Sequence, residues 1–331
     1  MRRAIRFTGN TRGITGGITL LAAALLLVAA GLSGSVARGD PLPGQILKFS
    51  QKPLDGAVPF PGGPPYWGHD ELSTVNRTSP TAPYTGTFMA DDFADKFSTP
   101  VVHVSWWGSY LDNQQFTTVK KFLISFETDV PVSANNPFSH PGVPILSQVV
   151  TKGALAPASG TFTEMPVSPG GPPLGETLFK YNAELKFQFP QMADKVYWIK
   201  IAALVEPQQE GPIRWGWHDR DYTLFDPLAS TPPLVSPGER NIGAGTPFSP
   251  VWHFQDDAVS GSMSTFIAPD NTVLSLDQTG YAPEHYLDFI DGPQGISQFS
   301  KDLAFELFTV PEPGSALIAL GVAMLLGRRR R

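Results

Sequence analysis

Two segments of the sequence place a histidine next to an aspartate and close to tryptophan. They read WGHD at 67–70 and WGWHDRD at 215–221. A histidine beside a carboxylate can act as a general acid or base, and the same side chains can ligate a metal. We favour the alternative, in which the tryptophans pack in the core and the polar side chains hydrogen-bond loop backbone. If the two segments meet in the fold, the side chains available for chemistry are His69, Asp70, His218, Asp219 and Asp221.

Aspartates that lie close together in the sequence indicate a second kind of site, one for calcium. Adjacent aspartates occur at 91–92 and 256–257. In an extended segment Asp219 and Asp221 would project to the same side. Such hard oxygen ligands suit Ca²⁺, although the spacing of an EF-hand loop is absent from the sequence and acidic turn residues without a metal are the alternative. The metal hypothesis is a structural calcium ion at Asp219, Asp221, Asp256 and Asp257, and we expect no other cofactor.

The tryptophans offer a third kind of site. There are seven of them, and the flat apolar face of an indole can stack on a sugar ring. The alternative is that they fill the core. The candidate residues for glycan binding are Trp67, Trp107, Trp215 and Trp217.

Motifs of catalysis are missing from the sequence. It contains no G-x-S-x-G, no H-E-x-x-H and no P-loop, which are local signatures of hydrolases, metalloproteases and nucleotide-binding enzymes. Paired carboxylates could still hydrolyse glycosides, because such residues are often distant in the sequence. We expect a protein that is not an enzyme.

The first residues of the chain have the pattern of a secretory signal. Four arginines within residues 2–12 precede an apolar run at 20–30, and small residues follow up to Ala37. This order predicts a signal peptide over residues 1–37 that is cleaved after Ala37, with an uncut membrane anchor as the alternative. Between Arg38 and Thr309 the chain has 16 basic and 29 acidic residues. That acidic excess disfavours binding of nucleic acid, and the absence of cysteine excludes disulfides.

The last residues form a separate segment at 310–331. A Val-Pro-Glu-Pro motif precedes an uncharged apolar stretch at 314–327, and four arginines follow. Because it is uncharged and apolar, the stretch predicts a transmembrane helix. The helix would be short, since about 20 residues are needed to span a bilayer, and its arginines would stay on the cytoplasmic side. The alternative is a buried C-terminal helix. The residues of the motif and the basic end are Val310, Pro311, Glu312, Pro313, Arg328, Arg329, Arg330 and Arg331.

This tail resembles the PEP-CTERM sorting signal of Gram-negative bacteria that produce exopolysaccharide. The resemblance rests on the motif, the apolar stretch and the basic end in that order. It implies transient insertion in the inner membrane and a partner, the membrane protease exosortase, which cuts at or near the Pro-Glu-Pro motif. It also implies that the mature protein reaches the cell surface or the extracellular space.

Between its two ends the sequence predicts β-strands. The segments VVHVSWW at 101–107, VYWIKIAAL at 196–204 and LAFELFTV at 303–310 are apolar on both faces, as central strands are. Turn clusters rich in proline and glycine separate such stretches. We predict an all-β protein with an irregular N-terminal arm at 38–87 and an antiparallel, jelly-roll-like β-sandwich at 88–309. The clearest alternation is LFKYNAELKFQF at 178–189, which predicts a half-buried strand with one apolar face of Phe179, Tyr181, Ala183, Leu185, Phe187 and Phe189.

A second resemblance covers residues 90–263. The segments ADDF, WWGSYLD, FETDVP, SHPG, VYWIKIAA, WGWHDRD and DDAV follow one another in an order similar to that of an uncharacterised domain of exported planctomycete proteins. This resemblance implies an exported β-rich module without established activity. The expected function is that of a structural or adhesive component of the cell surface or extracellular matrix, associated with exopolysaccharide. A carbohydrate-binding module is the alternative, followed by a glycan hydrolase.

Overall fold

A computed structural model describes residues 41–54, 68–111, 118–131, 133–136, 138–171, 176–221, 228–229, 258–283 and 302–311. These residues form fourteen strands and one short helix, α1 at Pro207–Glu210. The strands are β1 Ile46–Gln51, β2 Asp70–Leu72, β3 Thr74–Asn76, β4 Tyr84–Phe93, β5 Val101–Tyr110, β6 Lys121–Val130, β7 His140–Lys152, β8 Thr161–Gly171, β9 Glu176–Phe189, β10 Tyr197–Val205, β11 Trp215–His218, β12 Val259–Ile267, β13 Val273–Pro283 and β14 Phe305–Thr309.

All of these strands belong to one hydrogen-bonded sheet. Its main order is β1-β14-β5-β9-β8-β7-β6-β10-β3-β4-β12-β13, and β11 connects β2 to β5 at the side. Most neighbours are antiparallel, but β3 with β10 and β7 with β8 are parallel. The prediction of a β-rich protein is confirmed. The antiparallel arrangement predicted holds for most pairings but not for these two, so the sheet is mixed.

The central strands are buried on both faces, as their apolar sequences predict. All nine residues of β10 and all ten of β5 are buried. Alternate side chains of β10 enter two different cores: Ile199 and Ile201 pack in the larger one, and Trp198 and Leu204 in the smaller. Strand β10 therefore forms a wall that the two cores share.

Strand β9 departs from the predicted half-buried pattern. Phe187, expected on the apolar face, is 56% exposed, while Asn182 and Glu184 on the expected wet face are buried. Phe187 lies where the pairing of β9 with β5 is irregular, between the Val101–Phe189 and His103–Glu184 pairs, and such an irregularity changes the direction of a side chain. Asn182 and Glu184 lie opposite Ser105 and His103 in that pairing. The buried polar side chains of the two strands therefore hydrogen-bond one another.

The N-terminal segment predicted as an irregular arm contains regular structure. Strands β1, β2, β3 and the start of β4 fall within residues 38–87. β1 lies beside β14, near the end of the chain, and buries Phe49 completely. Strands of three residues between proline and glycine carry too few side chains for an alternation to be visible.

The described chain ends just after β14. All five residues of β14 are buried, whereas Val310, the next residue, is 40% exposed. Among the described residues, no helix is long and apolar enough to cross a membrane. The predicted signal peptide at 1–37 and the tail from Glu312 onward, with Pro313 and the four arginines, lie outside the described residues.

Candidate functional site

The two histidine-aspartate segments meet in the fold. Strands β2 and β11 pair antiparallel, with Asp70 opposite His218. His218 Nδ1 lies 3.1 Å from Asp70 Oδ1, and the backbone N–H of Asp219 donates to the carbonyl of His69 at 2.9 Å. Gly216 permits this approach, because a Cβ there would lie 2.8 Å from Asp70 Cβ. The structure thus brings the two segments together, as the sequence hypothesis requires.

His218 is fixed by an acceptor on each side of its ring. Nδ1 faces Asp70, and Nε2 lies 2.9 Å from the carbonyl oxygen of Leu54. Burial opposes a charge on the ring, but the carboxylate of Asp70 and the two hydrogen bonds outweigh it and raise the pKa of His218 to about 9. At neutral pH both ring nitrogens therefore donate a proton. A ring in this state has no lone pair for general base catalysis or for a metal.

Ser109 is the third side chain of this group, but it is not positioned to act as a nucleophile. Its Oγ donates to Asp70 Oδ2 at 2.8 Å, and His218 contacts the other oxygen of the same carboxylate. In a catalytic triad the histidine would accept the proton of the serine. Here the carboxylate stands between the two, so the arrangement holds β2, β5 and β11 together.

The state of His218 predicts a pH dependence of stability. A folded-state pKa of about 9 against an ordinary 6.5 means that the stabilisation is complete below pH 6.5 and is lost as the pH rises through 9. The full loss is on the order of 3 kcal/mol. Urea unfolding across this pH range measures it, and Asp70→Asn is expected to abolish this dependence. An unchanged slope in that variant would contradict the pairing.

Beside this pair lies a network of buried charges. Arg220 Nε donates to Asp302 Oδ2 at 2.7 Å, and Gln51 Nε2 donates to the same oxygen at 3.1 Å. Burial raises the pKa of Asp91 well above its ordinary value, and the neighbouring charge of Asp302 raises it further. Two carboxyl groups in contact can work as an acid-base pair, but Asp91 has no exposed surface and Asp302 almost none.

The calcium hypothesis is only partly covered by the described residues. Asp256 and Asp257 lie outside them. Asp219 is buried, and the backbone N–H of Asp221 donates to the carbonyl of Lys52 at 2.6 Å. Asp91 and Asp92 in β4 are both buried. Because adjacent residues of a strand point to opposite faces, their carboxylates do not converge on one ion. Within the described part of the chain no group of three or more histidine or carboxylate side chains is arranged to hold a metal ion.

The tryptophans proposed for glycan binding point inward where the structure describes them. Trp215 and Trp217 have no exposed surface, and their indole N–H groups donate to Tyr181 Oη at 3.1 Å and to the carbonyl of Ala304 at 2.9 Å. The prediction that these two bind sugars is corrected: the alternation of β11 directs both of them into the core, where they cannot stack on a sugar.

The other two candidates differ from this pair. Trp107 is 5% exposed, and the ammonium groups of Lys180 and Lys52 lie 5.0 and 5.9 Å from the centroid of its ring. Its accessible surface is thus small and lies beneath two cations. Trp67 lies outside the described residues.

Three buried pairs of titratable side chains were not found from the sequence. Lys200 Nζ donates to Glu127 Oε1 at 2.6 Å, His103 Nδ1 lies 2.7 Å from Glu184 Oε1, and Lys48 Nζ lies 3.6 Å from Asp95 Oδ2. Each partner is far away in the sequence. The signal was a lone charged residue inside an apolar run, such as the lysine in VYWIKIAAL. Such a residue needs a buried partner.

A comparison with known protein families finds one that matches most of the chain. Residues 47–278 match the model of a domain of unknown function, DUF7901. This match covers more than half of the chain and includes residues from β1 through β13. No curated protein and no solved structure matches the chain. The chain belongs to the DUF7901 family, whose domain has no known function.

Proposed function

We propose that this protein is an exported, non-catalytic structural component of the cell surface or extracellular matrix, associated with exopolysaccharide. The observation that carries this proposal is the inward orientation of the side chains best suited to chemistry. Trp215, Trp217 and His218 are buried and bonded to the protein's own groups. Side chains engaged in this way stabilise a domain and are not available to turn over a substrate.

The position of the tail supports export as the delivery route. β14 ends at Thr309 between β1 and β5, and the motif begins at the next residue, with Val310 and Pro311 exposed. A cut in this motif would leave every described strand intact. We therefore propose an exosortase-type protease as a partner and a transient stay in the inner membrane.

Substitution in the motif gives a prediction about processing. Glu312→Ala is expected to leave translocation intact and to block removal of the tail, because the resemblance makes Pro-Glu-Pro the recognition site. Immunoblotting of cell fractions from a host with exosortase measures this. Asp277→Ala, on an exposed position of β13, is the matched control and should be processed normally. Normal processing of the Glu312 variant would show that the sorting proposal is wrong.

The two cores support a layered, sandwich-like arrangement. Strands β4, β6 and β10 contribute side chains to both of them. The larger core also receives residues of β5, β9 and β14, and the smaller one receives residues of β12. Sheets that pack face to face bury their inner side chains in this way. We propose that β4, β6 and β10 lie between two outer layers.

A titration with polysaccharide tests the structural role against glycan binding. The purified protein is mixed with polysaccharide from a producing organism while tryptophan emission and release of reducing sugar are followed. We expect no change in emission, since Trp215 and Trp217 are buried, and no sugar release. A saturable emission shift would establish a carbohydrate-binding module, and release of sugar a hydrolase. Either result would overturn the proposal.

A further inference from the structure

Strand β1 directs a lysine into the interior of the protein. Its pairing with β14 is irregular between Leu47 and Phe49, which leaves Lys48 as the extra residue of a bulge. A bulge changes the direction of a side chain relative to the regular alternation. Phe49 and Lys48 consequently are both fully buried although they are adjacent in the strand.

The buried lysine meets a buried aspartate. Lys48 Nζ lies 3.6 Å from Asp95 Oδ2, and neither side chain has exposed surface. Lys48 Nζ also donates to the carbonyl of Thr99 at 2.5 Å. Two points in the sequence, 47 residues apart, are thus held with an amine beside a carboxyl group.

The carboxyl group of Asp95 is held rigidly. The backbone N–H of Phe97 donates to Oδ1 and Gln191 Nε2 donates to Oδ2, each at 2.8 Å. The backbone of Asp95 accepts a hydrogen bond from the N–H of Asp194 at 2.8 Å and forms a bridge with Ala229. Positioning of this kind replaces a chance encounter of two reactants with a fixed geometry.

Burial also favours the neutral forms of both groups. It lowers the pKa of Lys48 and raises the pKa of Asp95, although each charge partly opposes the shift of the other. A neutral amine is a nucleophile, and a protonated carboxyl group can lose its hydroxyl as water. Both pKa values are thus shifted toward the forms that an amide condensation uses, in a site that excludes water.

We propose that Lys48 and Asp95 form an intramolecular isopeptide bond. The lone pair of Nζ attacks Cγ of the protonated carboxyl group, and the N–H of Phe97 stabilises the negative charge that develops on Oδ1. The Nζ–Cγ bond forms and the Cγ–Oδ2 bond breaks. Oδ2 leaves as water with the acid proton and one proton from the amine. The remaining amide N–H donates to the carbonyl of Thr99, and no oxidant or co-reactant is needed.

Such a bond would secure an edge of the sheet. Among the described strands β1 pairs only with β14, so the edge depends on one ladder. A covalent link from β1 to the segment after β4 would keep this edge closed under load, because a cross-link restricts the unfolded chain. The inference is independent of the export route, since the reaction needs only the folded protein.

Mass spectrometry of the unfolded protein tests the bond directly. The full chain is folded at neutral pH, denatured, and weighed intact and after digestion with trypsin. We expect a mass lower than that of the sequence by one water molecule. Trypsin cannot cleave after an acylated lysine, so peptide 39–77 should be found joined to peptide 78–96. A full sequence mass together with a free 39–48 peptide would overturn the proposal.

Lys48→Arg is the matched variant, since it keeps the positive charge and removes the nucleophilic amine. It is expected to have the full mass of its sequence and no joined peptides. The pair of Lys200 and Glu127, which is equally buried, is an internal comparison in the same digest and should remain unlinked. A missing water that maps to that pair, or that persists in Lys48→Arg, would also overturn the assignment.

Discussion

Glu127→Gln is expected to lower the free energy of unfolding by about 3–5 kcal/mol, because it removes the partner of a buried cation. Lys200 Nζ donates to Glu127 Oε1 at 2.6 Å, and neither side chain is exposed. The carboxylate also accepts from Ser125 Oγ and Gln278 Nε2, each at 2.9 Å. Burial lowers the pKa of Lys200 to about 8, although the charge of Glu127 and the hydrogen bond to it oppose this shift. Urea unfolding of the variant and the native protein measures the loss.

A double-mutant cycle separates this pair from general damage to the core. Lys200→Met combined with Glu127→Gln should cost less than the sum of the two single changes, because the last buried charge is then gone. Lys120→Met is the control, since Lys120 lies on the surface 3.6 Å from Glu210, and exposed pairs contribute about 0–1 kcal/mol. Strict additivity of the two buried substitutions would contradict the account of this pair.

Trp215→Ala is expected to cost about 3–5 kcal/mol, since it leaves a large cavity in the main core. The indole is fully buried and packs edge to face against Phe122 and Tyr181, with centroid distances of 4.8 and 5.7 Å. Its N–H also donates to Tyr181 Oη, so this hydroxyl loses a partner. The measurement is again denaturant unfolding of the variant and the native protein.

The control for the tryptophan is another aromatic side chain, which the sequence places on the apolar face of β9. Phe187 is 56% exposed, and Phe187→Ala should change stability by less than about 0.5–1 kcal/mol, as surface substitutions do. Equal losses in the two variants would mean that the inward orientation of Trp215 is incorrect. The comparison thus tests whether Trp215 is buried, which is the reason that it cannot stack on a sugar.

The strands that the sequence predicts best are those with apolar side chains on both faces. β5 and β10 carry apolar side chains on both faces with few polar interruptions, and a strand of this kind can only be satisfied inside a fold. β1 and β2 escape prediction because their pairing partners, β14 and β11, are distant in sequence. β3 has only three residues, which is too few for an alternation to be visible. The prediction that Asn182 and Glu184 face solvent is wrong for a related reason. In the sequence, a polar residue that faces a buried polar partner occurs at the same alternate positions of a strand as one that faces water.

In the candidate site, too, the sequence reveals the local motifs but not the contacts with residues that are distant along the chain. The sequence identifies the two histidine-aspartate segments as a site only on the condition that they meet, and they do meet through β2 and β11. What the sequence does not contain is the identity of the second acceptor of His218, which is the carbonyl of Leu54. Together with the carboxylate of Asp70, this backbone contact engages both ring nitrogens inside the protein, in line with the interpretation that the sequence favours.

The most direct measurement of the proposed function is the location and mass of the protein in a host with and without exosortase. The full chain is expressed in an exopolysaccharide-producing bacterium and in the same strain lacking the protease. We predict a protein without its tail in the surface or extracellular fraction of the first strain, and an uncut protein retained in the membrane fraction of the second. The same fraction and the same mass in both strains would contradict the account.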